Sequence, residues 1–458
     1  MRRLILTGIF LALLPSPARA QYGSANYRIQ RWDEDYSYLK GAPKTDFFDP
    51  IKYISIGSDP DWYLSLGGQF RERYDYFNNS NFGAGRQDDD GFRLTRVLAH
   101  VDAHFGPNLR AFVQIDAARV DDRIVGPRPG DADDIDLQQG FADLKFSIGD
   151  ESSATVRLGR QELIYGAQRL VSPDDWVNVR RTFDGAKISF SFPNDALDIF
   201  ATRPVVVDKP HLNSPDEDRW FAGIYNVMAL PAILPGGHSK LDLYLLGLGQ
   251  NRWELMPFDS QTYTLGARFH TTPGQWDFDI EADWQLGRLG SENINAWSLA
   301  AEAGYTFSNL ALSPRASIGL DMASGSADGT GRFNQLYPPT YIYLGHIYLF
   351  GRQNLVDLHG GILFNLTNNL TLSLDQHIFW RQNTHDALYN LSGGIVRASN
   401  GSNASSVGNE FDAAINWQIQ RHFSAYMGYA HFFTGSFIEQ TGPDHDVDFF
   451  YAAVTFTF

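Results

Sequence analysis

WDFDIEADWQL, residues 276–286, is apolar at every even position and polar at every odd one: Trp276, Phe278, Ile280, Ala282, Trp284 and Leu286 against Asp277, Asp279, Glu281, Asp283 and Gln285. A period of two is that of a β-strand, whose successive side chains point to opposite faces. The same dyad recurs in Leu370, Leu372, Leu374, Ile378 and Trp380 against Thr371, Ser373, Asp375, His377 and Arg381. It returns in Phe411, Ala413, Ile415, Trp417 and Ile419 against Glu410, Asp412, Asn416 and Gln418. A soluble sandwich seldom carries so many acids and amides in a row on one face of a strand. A membrane barrel does, with its oily rows against lipid, aromatic belts at their ends and polar rows facing a wet lumen.

Working outward, eighteen segments of this kind run from 62–76 to 447–458, the fourth at 139–148. Tight connections such as Gly106-Pro107-Asn108, Gly149 to Ser153, Pro193-Asn194-Asp195, Thr367-Asn368 and Gln420-Arg421 alternate with long polar loops at 120–138, 164–181, 204–218, 324–352, 382–408 and 434–446. This is the pattern of an all-β, up-and-down antiparallel transmembrane barrel of about eighteen strands, with long extracellular loops and short periplasmic turns. Leu230 to Lys240 is long for such a turn. The last oily row, Phe450, Ala452, Val454, Phe456 and Phe458, finishes on the final residue. A terminal aromatic of that kind resembles the signal read by the barrel assembly machinery.

The 458 residues include no cysteine, 42 Gly, 33 Phe, 21 Tyr and 10 Trp, and carry a net charge of −16. Arg2 and Arg3, an apolar run from Leu4 to Leu14 and Ala18-Arg19-Ala20 form the pattern of a cleavable secretory signal, so the mature chain is expected to start at Gln21. Loss of the leader's three arginines takes the charge to −19 and makes nucleic acid an unsuitable partner. The expected organisation is a signal at 1–20, an N-terminal periplasmic extension at 21–61 and one barrel domain at 62–458, in the bacterial outer membrane among lipid and lipopolysaccharide.

Several stretches carry a family resemblance: RWDEDYSYLK (31–40), DPIKYISIG (49–57), WYLSLGGQFRERYDYF (62–77), LGRQELIYGAQRLV (158–171), WVNVRRTFDGAKI (176–188) and FNQLYPPTYIYLG (333–345). The GRQ-x-L-x-YG-x-x-RL stretch followed by R-x-FDG is the most specific. The chain resembles the alginate export, or alginate-porin, domain family from about Arg31 onward. That resemblance implies an eighteen-stranded outer-membrane barrel passing an anionic polysaccharide or oligosaccharide through an arginine-lined constriction.

Residue chemistry adds to this. Arg71 and Arg73 oppose the oily row of their segment, and Arg110 and Arg157 oppose theirs, so all four are expected to face the lumen. A guanidinium stays charged and grips carboxylates with a planar fork, which suits uronate sugars. The alternative is that these arginines pair with Asp75, Asp102, Asp116 and Asp143 to fill the barrel. Arg160, Arg169, Arg180 and Arg181, interleaved with Asp174, Asp175 and Asp184, sit around one loop that would form a charged constriction if folded inward, the alternative being a solvated outer loop. Arginines and Lys187 on early strands, against Asp277, Asp279, Glu281, Asp283, Asp375, Glu410 and Asp412 on later ones, suggest walls of opposite sign.

Other classes remain open. His100 and His104 lie about 13 Å apart on a strand, too far to share a metal. Asp88-Asp89-Asp90 and Asp131 to Asp136 offer oxygen ligands for a surface calcium, without EF-hand spacing; no other cofactor is expected. A barrel enzyme would need a nucleophile with its base, yet neither G-x-S-x-G nor H-E-x-x-H is present. A general small-solute porin, or a structural barrel plugged by loop 324–352, uses the same wall. Residues 21–61 could cap the periplasmic mouth or reach an export partner.

Overall fold

The computed structural model describes residues 27–59, 61–209, 211–232, 236–251 and 259–458. The expected leader and its cleavage point lie outside the described residues. Alternating sequence produces long antiparallel strands: β1 (Trp62–Asn78), β2 (Phe92–Phe105), β3 (Leu109–Asp121), β4 (Asp133–Ser147), β5 (Ser153–Gln161), β6 (Phe183–Ser191), β7 (Asp195–Val206), β8 (Arg219–Leu230) and β9 (Ser239–Gln250). They continue as β10 (Ser260–Thr271), β11 (Trp276–Leu289), β12 (Glu292–Thr306), β13 (Arg315–Ala323), β14 (Leu355–Thr367), β15 (Leu370–Arg381), β16 (Ser406–Gln420), β17 (Phe423–Thr434) and β18 (Val447–Thr457).

Each strand pairs with its sequence neighbours, and β1 closes on β18 from Gln69↔Thr457 to Asn78↔Asp448. The result is a closed antiparallel barrel of eighteen strands. Closure removes the open edges that would leave N–H and C=O groups unpaired in hydrocarbon. Along β11 the expected faces are realised, because Trp276, Ile280 and Trp284 point outward while Asp277, Asp279, Glu281 and Asp283 are buried in the lumen. Among the described residues no helix is long and apolar enough to cross a membrane.

Two expectations need correction. Long and short connections do not alternate strictly. Gly290-Ser291 joins β11 to β12 at the long-loop end, where Gly290 at φ +60° permits a two-residue hairpin. At the opposite end, residues 307–314 make a longer turn between β12 and β13. The second correction is β4, which starts at Asp133 and not near 139. Its acidic start reads as loop, but Asp133 and Asp136 turn into the barrel, where Asn213 bonds both, and two bulges against β3 absorb the irregular register.

Leu265 stands mid-strand in β10 and points outward, 53% exposed without lipid. Leu265→Arg should cost about 2–4 kcal/mol near the bilayer midplane, whereas Leu265→Phe should be neutral. Denaturant unfolding from lipid vesicles, followed by heat-modifiable gel migration, measures both; equal stability of the two variants would place Leu265 off the lipid face.

Candidate functional site: the lumen and its inward loops

An eighteen-stranded wall encloses more space than its own side chains fill, and two loops turn into it. The first, residues 162–182, leaves β5 and returns as β6, and its base is tied by Arg160, whose Nε and Nη2 donate to the two carboxylate oxygens of Asp184 at 2.8 and 2.9 Å. The family-like motif is thus largely the anchoring code of this loop. Glu162 receives Arg180 Nη2 at 2.5 Å, Tyr165 donates to Asp198 at 3.0 Å, and Arg169 Nη1 reaches Asp279 and Glu281 on β11, each at 2.9 Å. Gly166, at φ +55°, passes so close to Tyr225 that a Cβ would lie 2.4 Å from its hydroxyl oxygen. Only glycine fits there.

The far stretch of the loop meets the first two strands. Arg71 donates to the carbonyls of Asp175 (2.7 Å), Trp176 (3.2 Å) and Val177 (3.0 Å). Arg73 donates to the Trp176 carbonyl, lies 4.1 Å from the centroid of that indole, and pairs with Asp75 at 2.9 Å. Arg96 on β2 bonds the Asp175 and Val177 carbonyls at 3.1 and 3.2 Å and the Asp175 carboxylate at 2.8 Å. Three guanidiniums, all buried, converge on one row of oxygens. Burial would raise the Asp175 carboxyl, but Arg96, Arg180 and Arg71 outweigh it and hold it below the usual carboxylate range. For Asp174 burial wins, so its carboxyl is raised despite Arg181 and bonds from Thr340.

The loop therefore braces β1 and β2 against β11, nearly a diameter away. Arg181, whose charge acts on Asp174, donates to the carbonyls of Ser172 (2.9 Å) and Pro338 (3.2 Å). Pro338 belongs to the second inward loop, 324–354, which is zipped to the first by Ser172 N–H to Tyr337 O at 2.9 Å and Tyr337 N–H to Leu170 O at 2.8 Å. Trp176 stacks on Tyr341 with centroids 3.9 Å apart. On its far side this second loop is held by Glu410, which accepts the Ile347 amide at 2.8 Å.

Arg110 and Arg157 lie apart from this cluster, toward the short-turn end. Arg110 pairs with Asp102 through Nε at 2.7 Å and donates to the Trp32 carbonyl. Arg157 forms a bidentate pair with Asp143, both bonds at 2.7 Å, between the rings of Trp32 and Phe141. Trp32 belongs to the N-terminal segment, which enters this mouth of the barrel. Its Arg31 donates to the carbonyls of Phe458 (2.8 Å) and Gly68 (3.3 Å), and Ile29 O accepts from Arg180 at 3.1 Å. A small cavity remains between segment and loop, lined in part by Arg31, Gln69, Gln114, Asp175 and Arg180.

The expected segregation of charge needs correction. Later strands carry arginines that the period alone did not single out, Arg268 bonding Asp279 at 3.1 Å and Arg315 bonding Asp277 at 2.9 Å, and Arg352 of the second inward loop pairs with Asp321. The acidic wall is thus compensated in part, at Asp277, Asp279 and Glu281. Arg96 was missed as well, although it shares the parity of His100, Asp102 and His104 and so points to the same face. At the outer loops Asp88 and Asp131 are drawn to Arg123, at 2.8 and 2.5 Å, which directs both carboxylates to a guanidinium. His104 Nε2 lies 3.1 Å from Asp102, while His100 stacks on Phe112.

Among solved structures, Pseudomonas aeruginosa OccK8 (OprE) is 12% identical with a TM-score of 0.57, covering 86% of this chain and 98% of that one. A variant of OccD1 (OprD) is 14% identical with a TM-score of 0.56, covering 89% and 97%. P. aeruginosa OccK2 (OpdF), solved in complex with glucuronate, is 12% identical with a TM-score of 0.54, covering 86% and 97%. At such identities the likeness is one of fold, that of outer-membrane porin barrels. No curated protein sequence matches. The alginate export family model matches residues 62–451, the whole span from the first barrel strand into the last, and the chain belongs to that family.

Proposed function

We propose that the protein is a gated outer-membrane channel for an acidic saccharide, an oligo- or polyuronate such as alginate, passing along the wall formed by Arg71, Arg73 and Arg96. The observation that carries this reading is the row of carbonyl oxygens from Asp175 to Val177 lying on those three guanidiniums. Carbonyl and carboxylate oxygens accept the same donors, so the loop occupies places that sugar carboxylates would take. Withdrawal of the loop exchanges a neutral acceptor for an ionised one, so each guanidinium gains the bidentate ion pairing that a backbone carbonyl does not offer. The solute itself then offsets the loss of the loop contacts.

Family membership and the porin-type barrel support a channel. Capture of a uronate by the distantly similar OccK2 is consistent with that solute class. On this reading Arg110 and Arg157 position the N-terminal segment through Trp32. Arg160 and Asp184 fix the base of the gate, and Arg169, Arg180, Arg181 and Asp174 hold it across the lumen.

Two measurements test the proposal. Trp176→Ala removes the ring that stacks on Tyr341 and covers Arg73, so planar-bilayer recordings should show larger single-channel conductance or more frequent opening; unchanged currents would mean that loop 162–182 does not gate. In a Trp176→Ala background, Arg71→Glu with Arg73→Glu should move the reversal potential toward cations and abolish block by oligouronates, while Arg71→Lys should keep the selectivity and weaken the block. Both effects should shrink at 1 M salt, where the Debye length falls to about 3 Å. Unaltered selectivity and block in the double-Glu protein, with folding shown by heat-modifiability, would assign these arginines to packing.

A further inference from the structure

On the opposite side of the lumen, β14 and β15 bring together residues that the channel reading does not use. Asp357 and His359 are two apart on β14 and share its inner face, and His359 lies directly across from His377 on β15. Asp357 Oδ2 is 3.0 Å from His359 Nδ1 and 2.9 Å from His377 Nδ1. These three ligand atoms lie within 4.8 Å of one another, and all three residues are buried. A tetrahedral ion with bonds of about 2.0–2.2 Å holds its ligands about 3.3–3.6 Å apart, close to this spacing.

Two further features point to a cation. Each imidazole turns its far nitrogen toward another carboxylate: His377 Nε2 is 3.8 Å from Asp412 Oδ2, and His359 Nε2 is 3.9 Å from Glu302 Oε2. A carboxylate behind the second nitrogen is the arrangement that orients metal-ligating histidines and raises their basicity. Positive charge is also short here. Among the described residues no lysine or arginine pairs with Asp357, Glu410 or Asp412, and the wholly buried side chains of Glu410 and Asp412 face each other across one shared hydrogen bond. Buried carboxylates without a counter-charge are costly. Gly319 on β13 makes the space, since a Cβ there would stand 2.1 Å from His359 Nε2.

We propose that His359, His377 and Asp357 bind one divalent transition-metal ion of the zinc class on the lumen wall, with Asp321, 4.0 Å from His359 Nδ1, or water completing the shell. Two imidazoles and a carboxylate select zinc, cobalt or nickel over the oxygen-seeking magnesium and calcium. The ion ties β14 to β15 beside β16, whose Glu410 and Asp412 receive the amides of Ile347 and His346 from the second inward loop. It thus stiffens the wall on which that loop rests.

The test uses the untagged mature chain, refolded in detergent and stripped with chelator, titrated with Co²⁺ while its visible absorption is followed and then challenged with Zn²⁺. The expected result is one tight equivalent with the intense bands of low-coordinate cobalt, bleached by zinc. His359→Ala with His377→Ala should abolish that equivalent. Gly319→Ala, which keeps all ligands but displaces the His359 ring, should weaken it at least tenfold, and so should Asp357→Asn, which keeps a hydrogen-bond acceptor. Heat-modifiable migration verifies the fold of each, and a double variant that fails to fold leaves the decision to Asp357→Asn. No stoichiometric binding, or equal binding by wild type and the folded variants, would overturn the proposal and leave Asp357 as a hydrogen-bond acceptor between two imidazoles.

Discussion

In hydrocarbon every backbone N–H and C=O must find its partner within the protein, and the rest of this structure depends on how β1 and β18 meet that demand. They are unequal. The paired ladder runs from Gln69↔Thr457 to Asn78↔Asp448, and beyond it Gly68 and Phe458 exchange two backbone bonds of 3.0 Å. On that side the start of β1 meets the N-terminal segment, where Ile54 and Ser55 register with Leu64 and Tyr63 and Ile56 N–H bonds the Trp62 carbonyl at 2.8 Å. Arg31 bonds the carbonyls of Gly68 and Phe458 at the seam. The segment is therefore part of the closure, and its position in one mouth of the barrel follows from that edge.

Closure sets the circumference, and the circumference sets the second problem, a lumen too wide for wall side chains to fill. Loop 162–182 solves it as a strut. Its charged ends bind opposite walls, Arg169 on β11 and the carbonyls of Asp175 to Val177 on β1 and β2. The two ends use different chemistry. At β11 each guanidinium meets carboxylates, a bond with high cost of separation once buried. At β1 and β2 charged donors meet mainly neutral carbonyls, which a stronger acceptor displaces. On the proposed gating, the weaker attachment at β1 and β2 is the one that would open, with β11 as the hinge.

Much of this was legible in the sequence wherever one rule acted alone. The dyad in 276–286 places Asp277, Asp279, Glu281 and Asp283 inward because a strand offers only two faces, and the same rule places Arg71 and Arg73. It failed where hydrophilicity and strand pairing competed, as in the acidic start of β4. It also failed for partners fixed by register. Nothing in the spacing of His359 and His377 tells that they stand side by side, because that depends on the short connection between β14 and β15 and the bulge at Asn365/Thr367. The charge pattern around Arg160, Arg169 and Arg180 marked a loop able to fold inward, but their partners on walls far apart in sequence, and the part of Glu162, were not legible.

The distribution of arginine explains why such a lumen works with so many acids. A net charge of −16 would repel an anionic chain if the acids were free. Several in the lumen are not, because Asp143, Asp184, Asp277, Asp279 and Asp321 each bind a guanidinium on a neighbouring strand or loop. Paired charges contribute mainly short-range fields, which leaves the long-range potential along the path to whichever arginines lack a carboxylate. Arg71 comes nearest to this, since its hydrogen bonds go to three carbonyls and the Asn178 side-chain oxygen and none goes to a carboxylate among the described residues. On the proposed gating, a passage through a strongly acidic protein would favour anions wherever withdrawal of the loop uncovers such guanidiniums.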